Sequence, residues 1–247
     1  MRKPSRKHSR GSGARHQQRF SRELAVLYED DSVVAVNKPP GLLAVPAPGS
    51  HAASALSLLS LNTRRRRALV VHRIDRFASG ILLFAKTKLD RDALVRQFLA
   101  HTPVRRYLAV VRGHLAAKEG MLVHYFRKEG MHQTLSTARD PQAARAELRY
   151  SVERSLRGAS LVRVELLTGL QNQIRVQLAA VGHPVIGDRK YSPEEASESR
   201  IARVALHAAY LQFSHPRSGE IIPIECDVPA DFRSLVQSLS PRASGHN

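Results

Sequence analysis

One aspartate is placed where a carboxylate can do chemistry. Asp75 follows a short apolar segment at 69–71 and lies between two arginines in His72-Arg73-Ile74-Asp75-Arg76. The positive charge of Arg73 and Arg76 favours the ionised carboxylate. An ionised carboxylate at the end of a strand can act as a nucleophile or as a general base. On spacing alone, an ion-paired loop aspartate without a chemical role is the simpler interpretation.

Other common catalytic patterns are missing from the sequence. It contains no GxxxxGK[ST], GxGxxG, HExxH or GxSxG motif, which are the signatures of phosphate loops, dinucleotide sites, zinc proteases and serine hydrolases. The single cysteine, Cys226, excludes an internal disulfide and a multi-cysteine zinc site. The 12 histidines form no ligand pair backed by cysteines. We therefore expect no metal, no cofactor and a reducing compartment.

The charge of the chain indicates a polyanionic partner. Thirty-nine Lys and Arg residues stand against 21 Asp and Glu, so the formal net charge is +18 on 247 residues, more than solubility requires. Nucleic acid is the simplest partner of such a chain. No stretch of about 18 apolar residues is present, and the N-terminus lacks the apolar region of a secretory signal. We expect a cytoplasmic protein without a membrane contact.

The basic residues are concentrated at the N-terminus but not confined to it. Residues 1–22 contain eight basic and no acidic residues, and we predict a disordered tail that contacts phosphates without choosing a sequence. The remaining 31 basic and 21 acidic residues leave the body at +10. The body therefore needs a basic face of its own.

Alternating strand and helix patterns surround Asp75. Predicted strands cover residues 25–28, 32–36, 69–71, 81–85, 106–113, 161–167, 204–213 and 221–228. A helix capped by Thr87 extends to about His101. A second helix begins at a capping box at 168–171, buries Ile174, Leu178 and Val181, and ends at Gly182 and Pro184. The mixture predicts an α/β or α+β fold with prominent antiparallel hairpins.

Five segments, in order and with matching spacing, resemble the RluA-type family of RNA pseudouridine synthases. They read NKPPGLL at 37–43, HRID at 72–75 with SG at 79–80, RYLAVVRG at 106–113, QIRV at 173–176 with GHPVIGD at 182–188, and LHA at 206–208 with FSHP at 213–216. The family motif HRLDxxTSG has Ile74 and Ala78 in place of its leucine and threonine here. The similarity covers residues 23–228, nearly the whole body.

The resemblance implies a fold and a reaction. The fold would be α+β, with a mixed, largely antiparallel central sheet flanked by helices. The synthase domain would span 23–240, between the basic tail at 1–22 and a short C-terminal tail at 241–247. The reaction would convert uridine to pseudouridine in a structured rRNA or tRNA, without cofactor and with the base flipped out of its stack. The small RNA-binding module that precedes the domain in many relatives is absent, and we expect a monomer.

The resemblance also assigns roles to individual residues. Asp75 would attack the sugar or initiate its deprotonation, and Arg175 would pair with it. Tyr107 would stack on the uracil and transfer a proton. Arg73 would enter the RNA and support the flipped base. The remaining basic residues, expected to contact phosphates, are Lys38, Arg76 and the arginines at 64–67.

Three positions depart from the family pattern. Leu170, Asn172 and Gln177 stand where the family usually has arginine, histidine and histidine, which bears on substrate choice and rate more than on the reaction. The main alternative is a non-catalytic RNA-binding or ribosome-assembly protein on a degenerate synthase fold. Two others are a DNA-binding regulator, for which no helix-turn-helix is visible, and a glycosylase of free nucleosides, which would not need a charge of +18.

Overall fold

A computed structural model describes residues 24–49, 52–61, 68–130, 132–192 and 200–241. The N-terminal tail at 1–22, the arginine run at 64–67 and all but the first residue of the C-terminal tail lie outside the described residues. The strands are β1 (Ala25–Glu29), β2 (Val33–Lys38), β3 (Leu69–Val70), β4 (Ser79–Ala85), β5 (Val104–Arg112), β6 (Glu119–Glu129), β7 (His132–Ser136), β8 (Ala144–Leu156), β9 (Ala159–Leu166), β10 (Leu206–Ser214) and β11 (Ile221–Glu225). The helices are α1 (Ala55–Ser60), α2 (Lys88–Leu99), α3 (Gln173–Ala180) and α4 (Ala230–Leu239).

These strands form one mixed sheet. The order along it is β1-β2-β4-β10-β5-β9-β8-β6-β7, with β11 added to β10 and β3 to β4. Neighbouring strands run antiparallel except β4 and β10, which are parallel. The predicted α+β class and largely antiparallel sheet are therefore confirmed.

Strand β4 is buried on both faces, and this explains its continuous apolar sequence. All seven of its residues are buried. Ile81 and Leu83 pack in one cluster with Leu94 of α2, while Leu82 and Phe84 pack in another with α1. A strand covered on both faces reads as an apolar run rather than as an alternation. The strand gives a rigid end to the segment that carries Asp75.

The parallel pairing of β4 with β10 fixes the point at which the segment carrying Asp75 enters β4. Ser79 pairs with His207, and Gly80 pairs with Ala208. Gly80 has φ +109°, and a Cβ atom there would lie 2.2 Å from the Ala208 carbonyl oxygen. A side chain is excluded by that contact and by the positive φ. Glycine therefore lets β4 approach β10 closely, just after Asp75.

The start of α3 differs from the prediction. The residue that precedes the helix is Asn172, in the left-handed region with φ 55° and ψ 19° and without a side-chain cap bond. Thr168 is not a cap, because its hydroxyl donates to Gln173 Oε1 and accepts from the Glu147 amide. Val181, expected on the buried stripe, is 37% exposed. By contrast, Thr87 does cap α2, since its Oγ1 accepts from the Asp90 amide.

Three strands and two helices lie where the sequence patterns gave no prediction. They are β6, β7, β8, α1 and α4. In β8, Ala146 and Leu148 are buried, whereas Arg145 and Arg149 are exposed. One face of this part of the sheet meets solvent, so β8 alternates between apolar and charged residues. The charged positions conceal the apolar ones from a search for apolar runs.

Candidate active site

Asp75 lies in the segment that joins β3 to β4. The Ala78 amide donates to the Asp75 carbonyl oxygen at 3.2 Å, which closes a turn over residues 75–78. The carboxylate is 23% exposed. It is therefore held by a defined backbone turn and still reachable from solvent.

Arg175 of α3 joins Asp75 to a second carboxylate. Its Nη1 donates to Asp75 Oδ2 at 3.2 Å. Its Nε and Nη2 donate to the two oxygens of Asp188 at 2.8 and 2.7 Å. Burial opposes the charge of Arg175, but Asp188 and Asp75 outweigh it and raise the pKa of the guanidinium. Arg175 is only 8% exposed, so it is a permanent positive charge inside the protein.

Asp188 ends the family-like segment at 182–188, and the sequence alone assigned no role to it. It is 1% exposed and accepts hydrogen bonds from the amides of Lys190 and Tyr191 as well as from Arg175. Burial would raise its pKa, but the Arg175 hydrogen bonds and charge and the two amides lower it. The preceding Gly187 has φ +80°, and a Cβ there would lie 2.0 Å from the Arg203 carbonyl oxygen. The position of Asp188 in the family-like segment at 182–188 was the signal in the sequence that it could have a role.

Asn172, a departure from the family pattern, also contacts Arg175. Its Oδ1 accepts from Arg175 Nη1 at 3.0 Å, and its Nδ2 donates to the Tyr191 hydroxyl at 3.0 Å. The guanidinium carbon lies 5.1 Å from the centre of the Tyr191 ring. Asparagine adopts the left-handed region more readily than most residues. The substitution therefore supplies both the backbone conformation and an acceptor that orients Nη1.

Gln177 and Gln173 fasten α3 to the sheet. Gln177 Nε2 lies within hydrogen-bond distance of the carbonyl oxygens of Leu122 and Ala146, at 3.0 and 3.1 Å. Gln173 Nε2 donates to Gln177 Oε1 and to the Glu147 carbonyl. Both glutamines are buried. The departure at 177 thus forms part of an amide network that sets the position of the helix carrying Arg175.

Tyr107 of β5 is a buried tyrosine of the same region. It is 9% exposed. Burial raises the pKa of its hydroxyl to about 12, with Arg105 lowering it and the charge of Asp75 raising it. The hydroxyl is therefore protonated at neutral pH, in the electrostatic field of Asp75. The structure brings together the three side chains predicted to be catalytic: Asp75, Tyr107 and Arg175.

Lys38 was predicted to contact phosphate, and the structure places it elsewhere. Its side chain is fully buried. The ammonium nitrogen lies within hydrogen-bond distance, 2.7–3.1 Å, of four carbonyl oxygens, those of Pro39, Leu42, Arg76 and Ala78. Burial lowers the pKa of Lys38 to about 7, whereas the four carbonyl dipoles favour the ammonium form. The prediction is wrong in this structure, because an amine enclosed by backbone oxygens cannot reach a phosphate.

The two arginines beside Asp75 do not hold its carboxylate. Both are exposed. Arg76 Nε donates to the Gly41 carbonyl at 3.0 Å. No hydrogen bond or ion pair joins Arg73 to another residue of the described part. Their charges face solvent, where an RNA phosphate can approach, and their assignment as RNA contacts stays a prediction.

A buried arginine near Tyr107 was not foreseen. Arg105, two residues earlier on β5, is 7% exposed. Its Nη2 lies 3.3 Å from the Thr168 carbonyl oxygen and 3.5 Å from that of Leu166. Its Nε has no hydrogen-bond partner within the described ranges. Its place two residues before Tyr107, on the same face of the strand, was a signal that the sequence search did not use.

His72 packs against β4 and α2 within the segment that carries Asp75. Its Nε2 accepts from the Leu83 amide at 3.1 Å, and its ring stacks on Phe98 with centroids 4.6 Å apart. Burial lowers the pKa of His72 to about 3, and Arg105 lowers it further. The ring is neutral at physiological pH and anchors the segment to β4.

Among the described residues, no group of three or more His, Cys, Asp or Glu side chains is placed to hold a metal ion. No helix in the described ranges is long and apolar enough to span a membrane.

Comparisons with known proteins identify the family of the chain. A family model described as RNA pseudouridylate synthase matches residues 32–180. An uncharacterized RNA pseudouridine synthase of Bacillus subtilis, YlyB, is 34% identical over 226 residues, covering 88% of this chain and 73% of that protein. The dual-specificity RNA pseudouridine synthase RluA of Escherichia coli K12 is 32% identical over 215 residues, covering 85% of this chain and 94% of that protein.

A solved structure supports the fold independently. The human protein RNA pseudouridylate synthase domain containing 1 superposes with a TM-score of 0.75 at 24% identity, covering 91% of each chain. At this identity the likeness establishes the fold alone. The family match and the bacterial relatives establish more: the chain belongs to the RluA-type RNA pseudouridine synthases and is an isomerase that acts on uridine in RNA.

Proposed function

We propose that this enzyme isomerises a specific uridine in a structured rRNA or tRNA, and that Asp75 initiates the reaction. The observation that carries the proposal is the ion pair between a partly exposed Asp75 carboxylate and a buried Arg175. One route is attack on the sugar and the other is abstraction of a sugar proton. Both break the bond between the sugar and a uracil nitrogen, and both end with a bond from the sugar to a uracil carbon.

The charges around Arg175 support a reactive Asp75. Two carboxylates share one guanidinium, and the bidentate pair with Asp188 is the shorter and more buried contact. Asp188 thus neutralises most of the arginine charge. Asp75 receives one hydrogen bond at 3.2 Å, which orients it while leaving its second oxygen uncommitted to Arg175. A carboxylate held in this way is directed and available to attack.

Tyr107 is proposed to handle the base. A uracil carbon must lose a proton after the new bond forms, and a positioned hydroxyl can relay that proton. The pKa of about 12 keeps the hydroxyl protonated before the reaction. The aromatic face can stack on the released uracil and limit its escape.

The target uridine is proposed to be flipped out of its stack. A base inside a helix cannot reach a partly buried carboxylate, so extrusion is required. Arg73 is exposed two residues before Asp75 and is placed to support the opened RNA. We propose a cytoplasmic monomer with the synthase domain at 23–240. The enzyme needs no cofactor, because the isomerisation involves no redox change and no net hydrolysis.

The test is to map pseudouridines in total RNA with and without the gene. The proposal expects at least one rRNA or tRNA site to be lost in the deletion strain and restored by the wild-type gene. Asp75→Asn is nearly isosteric but cannot attack, so it should leave the site unmodified while RNA affinity stays within about threefold. Restoration of the site by Asp75→Asn would contradict the role of Asp75. If no site changes in the deletion strain, the proposed rRNA or tRNA substrate is wrong.

A further inference from the structure

An exposed phenylalanine lies two residues after Asp75. Phe77 is 48% exposed. All other phenylalanine and tyrosine rings in the described ranges are buried or half-buried. A single exposed apolar side chain is ordinary on a protein surface. This ring is of interest because of its place in the catalytic turn and the charges beside it.

The turn that carries Phe77 is firmly anchored. Asp75 and Ala78 are joined by a backbone hydrogen bond of 3.2 Å. The Arg76 carbonyl accepts from the Gly41 amide at 2.8 Å and from Lys38 Nζ at 3.1 Å. The Ala78 carbonyl accepts from Lys38 Nζ at 2.7 Å. The backbone on both sides of Phe77 is therefore fixed, and little backbone freedom remains to be lost when a ligand covers the ring.

The surroundings of the ring are cationic. The guanidinium carbon of Arg76 lies 5.4 Å from the centre of the Phe77 ring. Arg76 is itself tied to the Gly41 carbonyl, so ring and cation are presented together. Arg73 is exposed on the other side of Asp75. An aromatic face beside exposed cations is the combination that binds unpaired nucleotides, because bases stack on the ring while phosphates meet the charges.

We propose that Phe77 is a stacking platform for an unpaired base next to the target uridine. The proposal rests on the proposed function of Asp75. When the uridine enters the site, its neighbour in the strand loses a stacking partner. Phe77 replaces that partner, because it follows Asp75 by two residues and the chain between them is a single turn. Stacking tolerates any base, so this contact adds affinity for an opened RNA strand without choosing its sequence.

The first experiment measures kinetics with RNA purified from the deletion strain as substrate. Phe77→Ala should raise KM by about 5- to 100-fold, the range expected for one base–aromatic stack, with kcat within about twofold. Phe77→Tyr keeps the aromatic face and should behave as wild type. Phe77→Leu keeps apolar bulk without the face and should resemble Phe77→Ala. Leu89→Ala, at a residue 75% exposed on α2, is the control and should change neither constant.

The second experiment assigns the effect to a base. The probe is a single-stranded RNA heptamer with a central uridine flanked by adenosines, compared with a heptamer whose two flanking bases are replaced by abasic riboses. Wild type should bind the first more tightly by about fivefold or more. Phe77→Ala should bind both equally, at the affinity of wild type for the abasic heptamer.

The outcomes separate the two proposals. An inactive wild-type enzyme on RNA from the deletion strain would contradict the proposed function, while heptamer binding would still test Phe77. An active wild type with equal KM in Phe77→Ala and no dependence on flanking bases would overturn the stacking platform. A fall in kcat at unchanged KM would also overturn it, because Phe77 would then act through the geometry of the turn.

Discussion

Two buried cations contact the segment around Asp75, and they do so in different ways. The Lys38 ammonium nitrogen is surrounded by four backbone carbonyl oxygens, two of which belong to Arg76 and Ala78 of the turn at residues 75–78. Arg175 donates to the side-chain carboxylates of Asp75 and Asp188. The lysine therefore fixes the course of the backbone, whereas the arginine fixes the direction and charge of a side chain.

The difference shows how the chemistry of a buried cation indicates its role. Carbonyl dipoles solvate an ammonium without adding a countercharge, so the Lys38 site is an anchor. A carboxylate supplies a full charge, and a guanidinium can bind one carboxylate with two parallel hydrogen bonds while a third donor remains. Arg175 uses that third donor for Asp75. The same turn is thus held from the backbone by one cation and aligned at the carboxylate by the other.

The largest expected effect is on stability, from Lys38→Met. The substitution keeps the length of the side chain but leaves buried carbonyl oxygens without their donor, and we expect a loss of about 3 kcal/mol in the free energy of unfolding. Lys86→Met, which removes an ion pair with Glu29 at a more exposed position, should cost about 1 kcal/mol or less. Urea unfolding of both variants measures the difference. Equal losses would remove the distinction between anchor and surface cation.

Asp188→Asn tests the arginine side of the comparison through pH. In the folded wild type the pKa of Asp188 is lowered from its ordinary value of 3.8. Between the folded pKa and 3.8, the unfolded state therefore binds more protons than the folded state. The ionised pair therefore adds stability above pH 3.8, and this is lost as pH falls through the folded pKa. We expect wild type to exceed the variant by about 3 kcal/mol at pH 7.

Urea unfolding at several pH values checks the sign. The difference between wild type and Asp188→Asn should be the same at pH 7 and pH 5 and should shrink below pH 3.8. A difference that stays constant to lower pH would mean that the shape of Asp188, rather than its charge, stabilises the fold.

Asn172→Ala is expected to lower kcat by about tenfold, a change of about 1.4 kcal/mol. It removes the acceptor on Arg175 Nη1 and places alanine in the left-handed region. Asn172→Gly removes the same side-chain contacts, with Arg175 and with the Tyr191 hydroxyl, but does not strain the backbone, since glycine adopts that region freely. If the Asn172 amide orients Arg175, the single-turnover rate constant should fall equally in both variants. Full activity in Asn172→Gly would show that position 172 matters only for the backbone.

The smallest expected effect on catalysis comes from the cations outside both regions. Deleting residues 1–22 removes eight basic residues but neither buried cation. If about four of them contact phosphates, the slope of log affinity against log salt falls by roughly 3 on single-stranded RNA. The modified position should not change at saturating RNA. A salt titration with mapping of the product checks both, and a shifted position would give the tail a part in recognition.

Several parts of this protein were predictable because their causes are local. The first and last hairpins, β4 and α2 appear as apolar runs, turns and a threonine cap. Asp75, Tyr107 and Arg175 were predicted from segments that resemble the family motifs and follow their order along the chain. The start of α3 was missed because the Thr168 hydroxyl accepts from the Glu147 amide of β8 instead of from a backbone amide of the helix. Strand β8 was missed because its solvent face carries charged residues between the apolar ones.

The sequence by itself determined the family and the α+β class and predicted the residues proposed to carry the reaction, because these depend on residue types at fixed spacing. Only the tertiary structure decided which cation does what. Lys38 and Arg76 are both basic residues in motif segments, yet one is enclosed by carbonyl oxygens and the other faces solvent. Asp188 and Asn172 acquire their roles because α3 and the segment after it bring them to Arg175. Burial and the direction of a side chain depend on residues far apart in the chain, and spacing along one strand or helix does not contain them.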